Sequence, residues 1–289
     1  MRLPSGSGNR SLPREPGADR LGWPAMSGRT SCMAASRSSS RSEPVRIGLA
    51  GWSEAAGRHG KLLPAVEEGA TGLSRYAAAF GFVEINSSFY RQVRPATYEK
   101  WAGEVPRDFC FSVKMHRLIT HYTRLRNVDL LGDFFGSVAG LGKKLAVVLV
   151  QLPPALVFDA EVADRFWSAL RKIYGGGAVC EPRHTSWQEA GAREHLLGHG
   201  IGPVLTEIPA ADEDPLRGMK EDIPLYVRLH GTPRKYHSSY GAEELARLAD
   251  FLAAHSGRSR YVVFDNTAGP AGVRNALQLQ NLLIAGKKI

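Results

Sequence analysis

The clearest candidates for chemistry are an acid and a base two residues apart, Glu181 and Arg183, at the end of an apolar segment. In a β-strand the side chains at positions i and i+2 lie on the same face, so Val179, Glu181 and Arg183 point the same way. A carboxylate and a guanidinium at the end of a buried strand are costly unless they pair or bind something. The two residues therefore predict either a structural ion pair or part of a functional site.

Several other apolar segments end in polar side chains in the same way. Wherever the register can be assigned, these side chains lie on the face opposite the apolar one. If the segments are parallel strands, their ends meet on one side of the sheet and form a single site. The residues are Glu84 and Asn86, Lys114, Gln151, Arg228 and His230, and Asp265 and Asn266.

The elements that must position these side chains follow a regular alternation of strand-like and helix-like segments. Helix-like segments separate most of the strands, and the exception is Ile208–Pro224, which has three prolines and predicts an irregular loop. This pattern predicts an α/β fold, a (β/α)8 TIM barrel, with its site at the C-terminal mouth. An open doubly wound sheet is the alternative, because sequence does not show closure. The eight strands are predicted at 46–52, 82–88, 109–115, 145–152, 177–183, 202–206, 225–230 and 260–266.

The N-terminal segment differs in composition from the rest of the 289 residues. Residues 1–44 carry seven arginines and three acids, which accounts for +4 of the formal net charge of +9. Rich in Ser, Arg, Gly and Pro, this segment predicts a disordered extension, followed by a single domain over 45–289. It could be a transit-like peptide, or the chain could start at Met26 or Met33.

Several classes of protein are disfavoured by what the sequence lacks. The three cysteines are far apart without CxxC spacing, and no apolar run reaches the ~18 residues that span a bilayer. With no apolar secretory signal either, we expect a cytoplasmic protein that does not contact a membrane. Walker A, GxGxxG and GxSxG motifs are missing, so no cofactor is predicted, although a divalent metal stays open.

Eight segments in order carry a family resemblance. They are Gly51-Trp52-Ser53, Val83 to Tyr90, Phe111 to Lys114, Ile119-Thr120-His121, Gln151 to Pro154, Glu181-Pro182-Arg183-His184 before Ser186-Trp187, Tyr226 to Gly231, and Phe264 to Thr267 before Asn275-Ala276. Through them the chain from about Ile47 to Leu283 resembles the YecE-like family, known as domain of unknown function family 72. The resemblance implies a TIM barrel of unestablished biochemical role.

The chain departs from that family's pattern in two places. Pro182 stands where the family usually has Phe, and because proline lacks an N–H we expect the fifth strand to stop pairing there. Thr206-Glu207 stands where the family often has Asp after the sixth strand, which puts a sixth-strand carboxylate in doubt.

The leading functional hypothesis is an enzyme that binds and acts on an anionic small molecule, phosphorylated or nucleotide-like. Lys114, Arg183 and Arg228 would bind the anion, Glu84 or Glu181 would be the general base, and His230 an acid or electrophile. Asp265 completes the catalytic set. Further binding residues are Asn86, Gln151 and Asn266, with loop residues Trp52, Tyr90, His184, Trp187, Tyr236 and Tyr240.

Two alternatives of other classes stay open. One is a divalent-metal-dependent phosphodiesterase or sugar-phosphate enzyme of the endonuclease IV or xylose isomerase type, with ligands among Glu84, Glu181, Asp265, His121 and His230. The other is a non-enzymatic module that binds nucleic acid or a protein partner through the basic N-terminal segment. The sequence does not indicate an oligomeric state.

Overall fold

The computed structural model of the protein describes residues 43–210 and 212–286. Eight parallel strands form one sheet in the order β1-β8-β7-β6-β5-β4-β3-β2, with helices between them. The predicted (β/α)8 barrel is therefore confirmed. The strands are β1 Arg46–Leu49, β2 Phe82–Ile85, β3 Cys110–Lys114, β4 Leu145–Gln151, β5 Gly177–Glu181, β6 Gly202–Leu205, β7 Leu225–Leu229 and β8 Arg260–Phe264.

The barrel closes between β1 and β2 through a tyrosine rather than through a strand ladder. The Tyr76 hydroxyl accepts a hydrogen bond from the Leu49 N–H at 2.9 Å and donates to the Phe82 carbonyl at 2.9 Å. Gly48 permits this close approach, because a Cβ there would lie 2.1 Å from the Phe82 carbonyl oxygen. One buried side chain thus satisfies backbone groups on both sides of the seam.

Nine α-helices occur in the part of the chain that the structure describes. They are α1 Ser53–Ala56, α2 Gly72–Ala77, α3 Ser87–Tyr90, α4 Pro95–Gly103, α5 Leu130–Val138, α6 Ala160–Ile173, α7 Ala190–Gly198, α8 Ala242–Ala254 and α9 Ala271–Ala285. Short 3₁₀ or π turns span Gly60–Leu62, Leu118–Tyr122, Ala139–Lys144 and Thr185–Gln188. Within 208–210 and 212–224 there is neither helix nor strand, as the prolines predict.

The C-terminal ends of the strands lie one to three residues before the predicted ends. The N-terminal bounds agree closely with the prediction. After β1 and β2 the chain turns at once into the short helices α1 and α3, which the sequence pattern did not indicate. Strand β5 ends at Glu181, immediately before Pro182, as expected for a residue that cannot donate to the ladder.

The two faces of the strands build two separate cores, in agreement with the predicted alternation. Outward side chains such as Val83, Val113 and Val150 pack beneath the helices. Inward side chains such as Phe82, Leu149 and Tyr226 fill the barrel. The barrel interior is consequently packed below the level of the polar residues, which leaves the C-terminal ends of the strands as the place for a site.

The predicted extension, residues 1–44, lies almost entirely outside the described residues, which begin at Glu43. None of the described helices combines the length and apolar character needed to cross a lipid bilayer.

Candidate functional site

Arg228 lies at the centre of the mouth and contacts three carboxylates. Its Nη2 is 2.9 Å from Glu84 Oε1, and its Nη1 is 3.3 Å from Glu181 Oε2 and 3.1 Å from Asp265 Oδ2. The side chain is only 2% exposed, so these contacts are desolvated. From its position on β7, Arg228 therefore links the acids of β2 and β5 with the acid that follows β8.

Glu84 is fully buried and has no free oxygen facing the mouth. Oε2 accepts from the Tyr226 hydroxyl at 2.8 Å, and both oxygens accept from Arg228 Nε at 3.1 and 3.2 Å. Tyr226 also lies 2.7 Å from the Ser112 hydroxyl, which links β2, β3 and β7 across the barrel. Burial raises the pKa of Tyr226, so it stays a hydroxyl donor.

His230 forms the next layer, between two carboxylates. Its Nδ1 is 2.8 Å from Asp265 Oδ2, and its Nε2 is 3.0 Å from Glu181 Oε1. Burial lowers the pKa of His230, but the bonds to Asp265 and Glu181 outweigh burial and raise it. Burial likewise raises the pKa of Glu181, and Arg228 with His230 brings it down to about 2. The arrangement places the His230 ring between two carboxylates, which favour its protonated form.

Lys114 differs from the other buried charges of the site because it forms no ion pair with a described residue, although Glu84, Glu181 and Asp265 lie near enough to act on its charge. The residue is 7% exposed, and among the described residues its ammonium has neither a hydrogen bond nor an ion pair. Its Nζ lies 4.1 Å from the centroid of the Phe89 ring. Burial, followed by repulsion from Arg228, lowers the pKa of Lys114 to about 8.

Several polar atoms around the mouth have no hydrogen-bond partner among the described residues, including Asn266 Oδ1 after β8. Asn86 Oδ1 and Arg183 Nε are buried without a hydrogen-bond partner. Lys114 Nζ and the Gln151 amide have none among the described side chains either. Arg183 is fixed by Glu181, whose Oε1 is 2.7 Å from its Nη2, while 22% of the Arg183 side chain stays exposed. Buried polar atoms are normally bonded, so Asn86 Oδ1, Arg183 Nε and Asn266 Oδ1 are left with unused bonding capacity at the mouth.

Aromatic side chains border the mouth beside Lys114. The Phe89 ring contacts Tyr90 and His121, each with ring centroids 4.9 Å apart. Arg117 lies over the exposed Tyr90 and Tyr122 rings, at 5.6 and 5.4 Å. Burial, Lys114, Arg117 and Arg183 all lower the pKa of His121, so these three cations act on one region.

Three of these residues, Phe89, Arg117 and Tyr122, were not predicted from the sequence. Phe89 lies on α3, and Arg117 and Tyr122 lie at the π turn after β3, where the two-residue period no longer holds. The sequence offered one signal, since Arg117 follows Lys114 and His116 in a short basic cluster.

Four predicted binding residues have structural partners in the loops. The His184 Nδ1 caps the turn 185–188 by accepting from the Ser186 N–H at 3.2 Å, and Trp187 Nε1 donates to the Leu156 carbonyl at 2.9 Å. The Tyr240 hydroxyl accepts from the Gly231 N–H at 2.9 Å. Asn266 Nδ2 donates to Ser238 and Asn275, at 2.9 and 3.1 Å.

The two remaining loop aromatics lie in different surroundings. Trp52 packs edge-to-face on Trp101 of α4, with centroids 5.0 Å apart. Tyr236 is 46% exposed, and its ring centroid is 6.1 Å from that of His230. Its φ of 69° is in the left-handed region, which is costly for a tyrosine and often accompanies a functional position.

A family model described as "Protein of unknown function DUF72" matches residues 46–289. The UPF0759 protein YunF of Bacillus subtilis (strain 168) is 26% identical over 282 residues, 83% of this chain and 94% of YunF. The UPF0759 protein YecE of Escherichia coli (strain K12) is 29% identical over 159 residues, 54% of this chain and 55% of YecE.

Two solved structures share the architecture. A DUF72 family protein from Thermotoga maritima MSB8 is 26% identical, with a TM-score of 0.66 over 83% of this chain and 99% of its own. A DUF72 family protein from Enterococcus faecalis V583 is 21% identical and supports the fold, with a TM-score of 0.67 over 83% of this chain and 96% of its own.

Proposed function

The chain belongs to the DUF72 family of proteins of unknown function, and we propose that it binds and acts on an anionic small molecule at the mouth of the barrel. The anion lies on the side formed by β2 to β5, held by Lys114 and Arg183. The observation that carries the proposal is the buried Lys114 ammonium, which forms no ion pair with a carboxylate among the described residues.

The charge balance of the site supports an anion. Glu84, Glu181 and Asp265 contribute three negative charges, and Arg228 alone contacts all three. Arg228, Lys114 and Arg183 match these three charges, and the raised pKa of His230 favours a fourth positive charge, which a negative ligand would balance. A phosphate or carboxylate group accepts from an ammonium and a guanidinium with charge-assisted bonds of about 2.7–2.9 Å.

The proposed division of labour separates binding from proton transfer. Arg228 and Glu84 bond to each other and support the His230 layer above them. Against the effect of burial, hydrogen bonds to Asp265 and Glu181 raise the pKa of His230 and so favour its protonated form, which is suited to donate to a leaving or developing anionic oxygen. Glu181, with its pKa near 2, is a weak base and serves to orient His230 and Arg183.

The other two hypotheses have less support. Arg228 occupies the space between the carboxylates where a divalent cation would have to lie, and its charge opposes one. The segment that would bind nucleic acid, residues 1–44, lies almost entirely outside the described part of the chain.

Exposed Tyr90 and Tyr122 beside Arg117 are compatible with a ring-bearing ligand, which favours nucleotide-like or aromatic phosphates among the anions.

The proposal predicts that two substitutions weaken anion binding selectively. Isothermal titration of the full chain with pyrophosphate, sugar phosphates and nucleotides should find binders, and Lys114→Met and Arg183→Ala should each weaken the best of them by more than about tenfold, because each removes a charge-assisted bond.

The matched control is Lys172→Met, which removes an exposed lysine at the end of α6. It should leave the affinity unchanged. Equal affinity of Lys114→Met and the unaltered protein for every anion that binds would refute the proposal.

A further inference from the structure

A second polar cluster lies on the outside of the barrel, and we propose that it binds a divalent transition-metal ion of the Zn²⁺ type. The cluster is formed by Asp164 of α6 with His195 and His199 of α7 and its end. It is separate from the mouth, since its members are carried by helices rather than by strand ends. In the described part of the chain it is the one set of three such residues whose ligand atoms converge.

The distances agree with a shared ion. One ligand atom from each of the three residues lies within 4.8 Å of the others. His199 Nε2 and Asp164 Oδ1 are 3.1 Å apart. Two ligand atoms at about 2.1 Å from a tetrahedral Zn²⁺ lie about 3.4 Å from each other, so small side-chain rotations would complete the site.

The local structure presents both histidines on the same side of α7. Positions four residues apart are neighbours on a helix surface, and the His195 and His199 rings have centroids 5.0 Å apart. Arg171 Nε donates to the His199 carbonyl at 2.9 Å, which fixes the backbone at the end of the helix. Two ligands are therefore held by one rigid element, and the third comes from the adjacent helix.

An unsatisfied atom supports a ligand over a simple ion pair. His195 Nε2 is buried and lacks a hydrogen-bond partner. An ion pair between Asp164 and His199 alone leaves this atom unbonded. Two imidazole nitrogens and a carboxylate oxygen favour Zn²⁺ and its first-row neighbours over Mg²⁺ or Ca²⁺, which prefer oxygen. A water would fill the fourth position, and the ion would tie α6 to α7.

The test is equilibrium dialysis of tag-free protein, freed of metal by chelator and kept reduced, against ZnCl2. One Zn²⁺ should bind per chain, and Asp164→Asn and His195→Ala should each lower its affinity at least tenfold. His237→Ala, which removes an exposed histidine outside the cluster, should not.

A thermal-denaturation series gives an independent readout, because an ion that binds the folded chain raises Tm. Zn²⁺ should raise the Tm of the unaltered protein and of His237→Ala, but not that of Asp164→Asn. Because the Asp164 side chain is 64% exposed, its replacement should not impair folding. Absence of stoichiometric binding, or binding that Asp164→Asn and His195→Ala both retain, would overturn the proposal.

Discussion

At the scale of single residues, the cations of the mouth divide by their partners. Arg228 is fully engaged by three acids, while Lys114 has no acid within bonding distance among the described residues. A buried charge is tolerated only when something compensates it, and for Lys114 that compensation is partly the Phe89 ring and partly a lowered pKa. The proposed anion would complete it.

This division predicts a pH dependence of anion binding. A bound anion favours the charged ammonium, so affinity should be constant below the Lys114 pKa of about 8 and fall as pH rises through it, by up to tenfold per unit. Sulfate is the suitable probe, because its own charge does not change in this range, and titrations from neutral to alkaline pH would measure the effect.

Lys114→Met is the internal control, since it removes the titrating group. Its weaker sulfate binding should not depend on pH in the same range. If the decline persists in Lys114→Met, another group, such as His230, controls binding and the assignment to Lys114 is wrong.

The predictable part of the site depends on strand geometry. Glu84, Lys114, Glu181 and Arg228 were identified because alternation in a strand follows directly from the backbone. The structural roles of Tyr240 and Asn266 were not visible, because their partners, Gly231 and Asn275, come from other segments. Whether a polar side chain faces a ligand or a backbone group is decided by such tertiary contacts.

At the scale of elements, the eight strands follow from apolar runs at regular spacing, and their early C-terminal ends follow from the turns after them. The residues that extend the mouth, such as Phe89 and Tyr122, come from α3 and the turn at Leu118–Tyr122. These short elements have no recognisable period in sequence. The link across the seam of the barrel is equally hidden, because it uses the hydroxyl of Tyr76, which lies on α2 and not on either strand.

The seam between β1 and β2 gives a prediction for stability. Tyr76→Phe removes a buried hydroxyl that bonds Leu49 and Phe82 and leaves both backbone groups unsatisfied. We expect it to lower the free energy of unfolding by about 1–3 kcal/mol, measured by urea denaturation.

Tyr174→Phe is the matched control, because the Tyr174 hydroxyl is also buried but has no hydrogen-bond partner. Its removal should be neutral or stabilising. Equal destabilisation by the two substitutions would show that the Tyr76 hydroxyl does not close the barrel.

At the scale of the whole molecule, the mouth has two unlike halves. One half, formed by Arg228, His230 and the three buried acids, is internally paired, whereas in the other half Lys114 Nζ and Asn86 Oδ1 have no hydrogen-bond partner among the described residues. Enzymes hold reacting groups in a preorganised frame beside the place where a substrate binds. The barrel supplies both halves from one end, while the proposed metal site on α6 and α7 lies outside it.

The most direct test of the central claim is a crystal structure with tungstate, an electron-dense oxyanion, for the unaltered protein and for Lys114→Met. We expect an anomalous peak at the mouth, on the β2 to β5 side, that places tungstate oxygens within hydrogen-bonding distance of Lys114 Nζ and Arg183, and Lys114→Met should lose this peak. Tungstate bound elsewhere with the mouth empty, or a mouth peak that Lys114→Met retains, would contradict the account.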